Sequence, residues 1–167
     1  MKSLKKLPFH LFLAIVFISN ILFAQEDSTE TGEYFRTKAK SFQKDNSDSA
    51  IFYASKALDY YENEGDTLMY IDTQQYLGVF QIDKDNFAKA DSILNLNWKL
   101  AKQYLSPSGE DSEKETYANS ASQLALTQLK LNNYPKCIEL FEIAIPIFES
   151  TDLTKKLMLL YNNAGIC

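Results

Sequence analysis

The sequence predicts an all-α chain, a solenoid of about three and a half helix-turn-helix repeats. Two observations carry that prediction. Residues 76–94 (YLGVFQIDKDNFAKADSIL) and 123–141 (QLALTQLKLNNYPKCIELF) follow one pattern: an apolar helix end, a polar turn containing Asn, an aromatic residue, then a small residue opening a new apolar stripe. The many Tyr and Phe residues recur at helical rather than alternating spacing, so no segment argues for a strand.

In chain order, residues 1–24 come first and read as a secretory signal peptide. Lys2, Lys5 and Lys6 precede an apolar run from Leu7 to Phe23, and small Ala24 stands before polar Gln25, where cleavage is expected. An uncleaved membrane anchor is the other reading, because a spanning helix can be as short as ~17 residues. Export to the periplasm or the extracellular space follows from either.

Residues 25–167 form the predicted repeat domain. Its first unit spans residues 38–58, with small Ala39 and Ala50 and a stripe of Ala50, Ala54 and Ala57 at i, i+4 and i+7. The stretch 62–67 (ENEGDT) supplies a turn with a capping residue. In the second unit Gly78 is followed twelve residues later by Ala90, and in the third Ala125 is followed twelve residues later by Cys137. Phe87 and Tyr134 each stand three residues before the second small residue. Such small residues let helix axes approach closely while large neighbours fill the remaining space. From Ala50 to Ala90 is 40 residues, and from Ala90 to Cys137 is 47. The extra seven are assigned to a surface turn at residues 106–115 (SPSGEDSEKE). Pro135 suits the first turn of a helix, and residues 149–153 (ESTDL) read as the next turn.

This pattern resembles the tetratricopeptide repeat, through Leu77, Gly78, Phe87 and Ala90 in one unit and Leu124, Ala125, Tyr134, Cys137, Phe141 and Ala144 in the next. The early aromatic of the first helix is replaced by Gln74 and Ala121, and the period exceeds the ~34 residues usual for the family, which implies added helical turns. The resemblance implies a right-handed solenoid whose first helices line a concave binding surface. Carried over position by position, it places Asp72, Gln75 and Val79 there in unit two, Asn119, Ser122 and Leu126 in unit three, and Glu33 and Arg36 in unit one. Gly78, Ala90, Ala125, Cys137 and Gly165 are the implied packing positions. Val79 and Leu126 stand where the family's carboxylate clamp needs an amide, so the clamp is not reproduced. Arg36, the only arginine, suits a carboxylate, although its plainer reading is a solvent-exposed helix residue.

Chemistry is mostly excluded by what residues 25–167 lack. The single histidine, His10, lies in the leader, which removes histidine-based triads and metal sites, and the scattered glycines form no phosphate loop. No cofactor or metal is expected, and paired carboxylates are a remote catalytic option. Beyond residue 24 the chain has 14 basic and 22 acidic residues, a net −8 that repels phosphate backbones and disfavours nucleic acid. Cys137 and Cys167 can pair in an oxidising compartment, but two cysteines make no framework, and both are read first as small apolar packing residues.

The expected function is therefore non-catalytic binding of a protein or peptide. An export signal followed by long-period repeats resembles the N-terminal sensory region of Bacteroidota signal-transduction proteins, in which an output domain follows. A stand-alone periplasmic or secreted adaptor is the alternative. Gly165 lies 40 residues after Ala125, at the small-residue position of a fourth unit, so the chain is expected to end inside that unit's first helix. Leu157, Leu159, Leu160, Tyr161 and Ile166 are then left uncovered, which favours self-association.

Overall fold

The computed structural model describes residues 30–151 and 154–167, and the proposed signal segment lies outside them. Among the described residues there are seven α-helices: α1 (Gly32–Phe42), α2 (Ser47–Glu64), α3 (Thr67–Asp83), α4 (Phe87–Tyr104), α5 (Asp111–Lys130), α6 (Tyr134–Glu149) and α7 (Thr154–Ala164). Each packs on the next in the chain, and α3 also packs against α5. None of these helices is long and apolar enough to cross a membrane.

Local chemistry explains where the helices begin. Thr31, Asn46 and Asp66 each accept a hydrogen bond from the backbone N–H three residues on, at 3.2, 3.0 and 3.0 Å, which satisfies a donor the helix itself leaves open. Asn86 and Asn133 precede α4 and α6 and make no such cap. Their amides instead donate back to Gln81 Oε1 at 3.2 Å and Gln128 Oε1 at 2.8 Å.

Those two turns are copies of each other. Asn86 N–H reaches the Gln81 carbonyl and Asn133 N–H the Gln128 carbonyl, both at 2.9 Å, while Asp85 and Asn132 bond to Ile82 and Leu129. These paired bonds define the Schellman ending of a helix, which needs one left-handed residue. Asp85 and Asn132 supply it with φ of 56° and 58°, and after glycine they belong to the residue types that tolerate that region best. After α2 the same bonds run from Gly65, at φ 71°, and Asp66.

The difference between the 40- and 47-residue spacings is divided between two places. The connection from α4 to α5 covers residues 105–110, four more than the two between α2 and α3, and α5 has 20 residues against 17 in α3. Residues 111–115, expected in a turn, are therefore the start of α5. The helices α2 and α4 are each 18 residues long. Ala50, Ala90 and Cys137 are each the fourth residue of their helix and are fully buried.

The core runs along the chain through these small positions. A β-carbon on Gly78 would lie 2.4 Å from Leu94 Cγ, so α3 and α4 touch there at a distance only glycine permits. Gln74 and Asn97 are both buried, Asn97 donating to the Ile71 carbonyl at 2.8 Å and to Gln74 Oε1 at 3.4 Å. Forty-seven residues on, the corresponding residues are Ala121 and Ala144, buried together in one apolar cluster. A buried polar pair thus corresponds to two alanines forty-seven residues further along the chain. Trp98 meets Tyr117 edge-on with ring centroids 4.9 Å apart, joining α4 to α5.

The last helix corrects three expectations. Gly165 lies exposed in the turn after α7, and a β-carbon there would meet only backbone of its own chain, so it is not a packing position. Cys137 and Cys167 are not separate packing residues: a disulfide with Cα atoms 6.1 Å apart joins the start of α6 to the end of the turn after α7. Leu160 is buried and Leu157 partly so, both against the main core. Met158, Leu159, Tyr161 and Ile166 stay exposed, Met158 most of all at 72%.

Candidate functional site

Alternate helices build a groove. Residues of α1, α3 and α5 surround a space of about 360 Å³, among them Arg36, Lys40, Met69, Asp72, Tyr76, Glu115 and Asn119. The geometry follows from helical periodicity, because residues four apart share one face. Arg36 and Lys40, Asp72 and Tyr76, and Glu115 and Asn119 are three such pairs, one from each helix.

Arg36 is the electrostatic centre of one wall. Its Nε donates to Glu33 Oε2 at 2.8 Å, and an Nη donates to Asp72 on α3. Its side chain is only 16% exposed, so it is not the solvent-facing residue of the plainer reading. Burial works against the positive charge, but Asp72 and then Glu33 outweigh it and hold the guanidinium above its ordinary pKa. Glu33 is exposed, with a side chain 60% open to solvent, whereas that of Asp72 is 18% open. Lys40 lies 4.7 Å from the centroid of the Tyr76 ring, a cation–π contact that places a second positive charge on the same wall.

Of the eight residues expected to line a binding surface, Arg36, Asp72 and Asn119 line this groove, and Glu33 joins them through Arg36. Gln75 does not. It is buried, and its amide donates to the Thr116 carbonyl at 3.2 Å and to Ser120 Oγ at 3.1 Å, so it fastens α3 to α5. Ser122 is also buried, its hydroxyl donating to the Asn119 carbonyl at 3.0 Å. It faces a smaller hollow of about 180 Å³ that Leu126 and Asn119 share with Phe148, Leu159 and Leu160. Asn119 therefore borders both spaces. Lys40, Tyr76 and Glu115 were missed by sequence reasoning, although each lies four residues from a residue it did identify, and that spacing was the available signal.

Among the described residues, no group of three or more His, Cys, Asp or Glu side chains is placed to hold a metal ion. Charges of both signs, an amide, hydroxyls and a few apolar side chains line the groove, a mixture that can bind a polar chain segment along its length. Comparison with known protein families, with characterised proteins and with solved structures yields no match to this chain.

Proposed function

We propose that this chain is an exported, non-catalytic binding scaffold of the tetratricopeptide-repeat kind, and that it takes a protein or peptide segment into the groove between α1, α3 and α5. The observation that carries the reading is the groove itself, to which three alternate helices each contribute an i, i+4 pair of polar or aromatic residues. The repeated Schellman turn supports the repeat assignment, since the same backbone solution recurs 47 residues later. The disulfide supports export, because such bonds persist in oxidising compartments. Within that reading, the chain is the sensory or interaction part of a longer signal-transduction protein.

Arg36 gives the groove a way to recognise a carboxylate. Asp72 holds the guanidinium from below, and Glu33, the exposed partner, is the group that an incoming carboxylate displaces. A peptide with an acidic residue or a free C-terminus beside an apolar one fits the wall formed by Arg36, Lys40 and Met69.

Photo-crosslinking in the producing cell tests this. A crosslinking amino acid at Tyr76 or Asn119 should give a discrete adduct, and one at Lys99, on the exposed side of α4, should not. Equal labelling from both faces, or none from the groove, overturns the proposal. A second contact surface is proposed on α7, where Met158, Leu159 and Tyr161 are exposed. Sedimentation velocity should show concentration-dependent self-association that Met158→Glu with Leu159→Glu abolishes.

A further inference from the structure

A second hollow lies away from the groove, where the end of α2, the start of α3 and the C-terminal half of α4 meet. It has a volume of about 450 Å³, within the range of small-molecule sites. Three tyrosines, Tyr61, Tyr70 and Tyr104, line it with Leu96 and Leu100, and Glu62 belongs to the lining as well. Among the described residues that line it, Glu62 is the one with a formal charge, and there is no lysine or arginine.

At Tyr70 the surroundings reinforce that sign. Burial raises the pKa of the Tyr70 hydroxyl, and Glu62 and Asp59 raise it further. Burial does the same at Tyr61; there Arg36 opposes the shift while Glu33, Asp66 and Asp72 add to it. Both phenols therefore stay neutral at ordinary pH; carboxylates are the only charges acting on Tyr70, and Arg36 is the strongest single charge acting on Tyr61.

We infer that this hollow binds a small organic ammonium ion, a free quaternary amine of about choline size. A quaternary ammonium is apolar on its surface and positive throughout, so it suits aromatic rings, whose faces are electron-rich, together with a carboxylate that balances its charge. Glu62 repels an anion. A neutral molecule of the same shape fills the apolar part but gains nothing from Glu62. The groove ligand is a different species at a different place, so either site can fail alone.

Isothermal titration of the purified chain with choline, and with its neutral carbon isostere 3,3-dimethylbutan-1-ol, tests the inference. Choline should bind about fivefold or more tightly than the isostere. Glu62→Gln should weaken choline and leave the isostere unchanged. Tyr104→Ala should weaken choline, and because Tyr104 is 55% exposed the helix should persist by circular dichroism. Equal binding of choline and isostere, no saturable choline binding, or choline affinity unaffected by both substitutions overturns the inference. So does binding to phosphatidylcholine vesicles without binding to free choline, since the ligand would then be a membrane headgroup.

Discussion

Replacing Gly78 by alanine adds one methyl group at a point where the structure has no room for it. The new β-carbon lies 2.4 Å from Leu94 Cγ and 2.5 and 2.9 Å from its two δ-carbons. Leu94 is fully buried and has no open side to move into. Overpacking of this kind costs about 1–3 kcal/mol. Alanine inside a helix is favoured over glycine by about 1 kcal/mol, and Gly78 is in the body of α3. The net effect expected for Gly78→Ala is a loss of about 1 kcal/mol. Leu94→Ala alone should cost about 3–4 kcal/mol through lost burial and the cavity left behind. In that background the clash is gone and only the helix preference remains, so Gly78→Ala should then stabilise by about 1 kcal/mol. The two sites are coupled by about 2 kcal/mol, and the sign of one substitution depends on the other. Urea unfolding, followed by both circular dichroism and the fluorescence of Trp98, one turn beyond Leu94, measures all four proteins and checks that the two probes coincide. Stabilisation by Gly78→Ala in the native background, or the same sign in both backgrounds, would refute the close contact of α3 and α4.

Three further outcomes are expected. Gln75→Ala removes the two hydrogen bonds that fasten α3 to α5 and should lower unfolding free energy by about 1–3 kcal/mol, whereas a solvent-side amide would be near neutral. The disulfide closes a loop of 30 residues, so Cys167→Ser or added reductant should cost about 3.6 kcal/mol, and thiol titration of the denatured, unreduced protein should find no free thiol. Burial raises Tyr61, Tyr70 and Tyr117 above the ordinary value of 10.0 in the fold. Above pH 10 the unfolded chain ionises these phenols first, and binds fewer protons than the native one. Stability is therefore full below pH 10 and falls as pH rises beyond it, which melting temperatures read beside tyrosinate absorbance at matched pH should show.

Part of the groove was legible in the sequence because helical faces are local. Arg36, Asp72 and Asn119 came from the positions that the resemblance to the tetratricopeptide repeat implies, and their neighbours four residues away share the same helical faces. Gln75 is turned to the neighbouring helix instead of the groove, and Ser122 faces the smaller hollow. Whether such a residue meets solvent or the next helix depends on how far the helix is rotated, and here the contact of α3 with α5 covers Gln75. The partial burial of Arg36 was hidden for the same reason, since its partner Asp72 is 36 residues away.

The sequence by itself determined the helical class, the small residues Gly78, Ala90, Ala125 and Cys137 of the core, and the turns before α3, α4 and α6. These rest on spacing, capping and turn chemistry, interactions that span five residues or fewer. The tertiary structure alone decided which polar residues face the groove, how Gln74 and Asn97 pair, and that Cys137 meets Cys167 rather than packing beside it. Those outcomes depend on the mutual placement of helices more than twenty residues apart in the chain, and no local pattern encodes that placement.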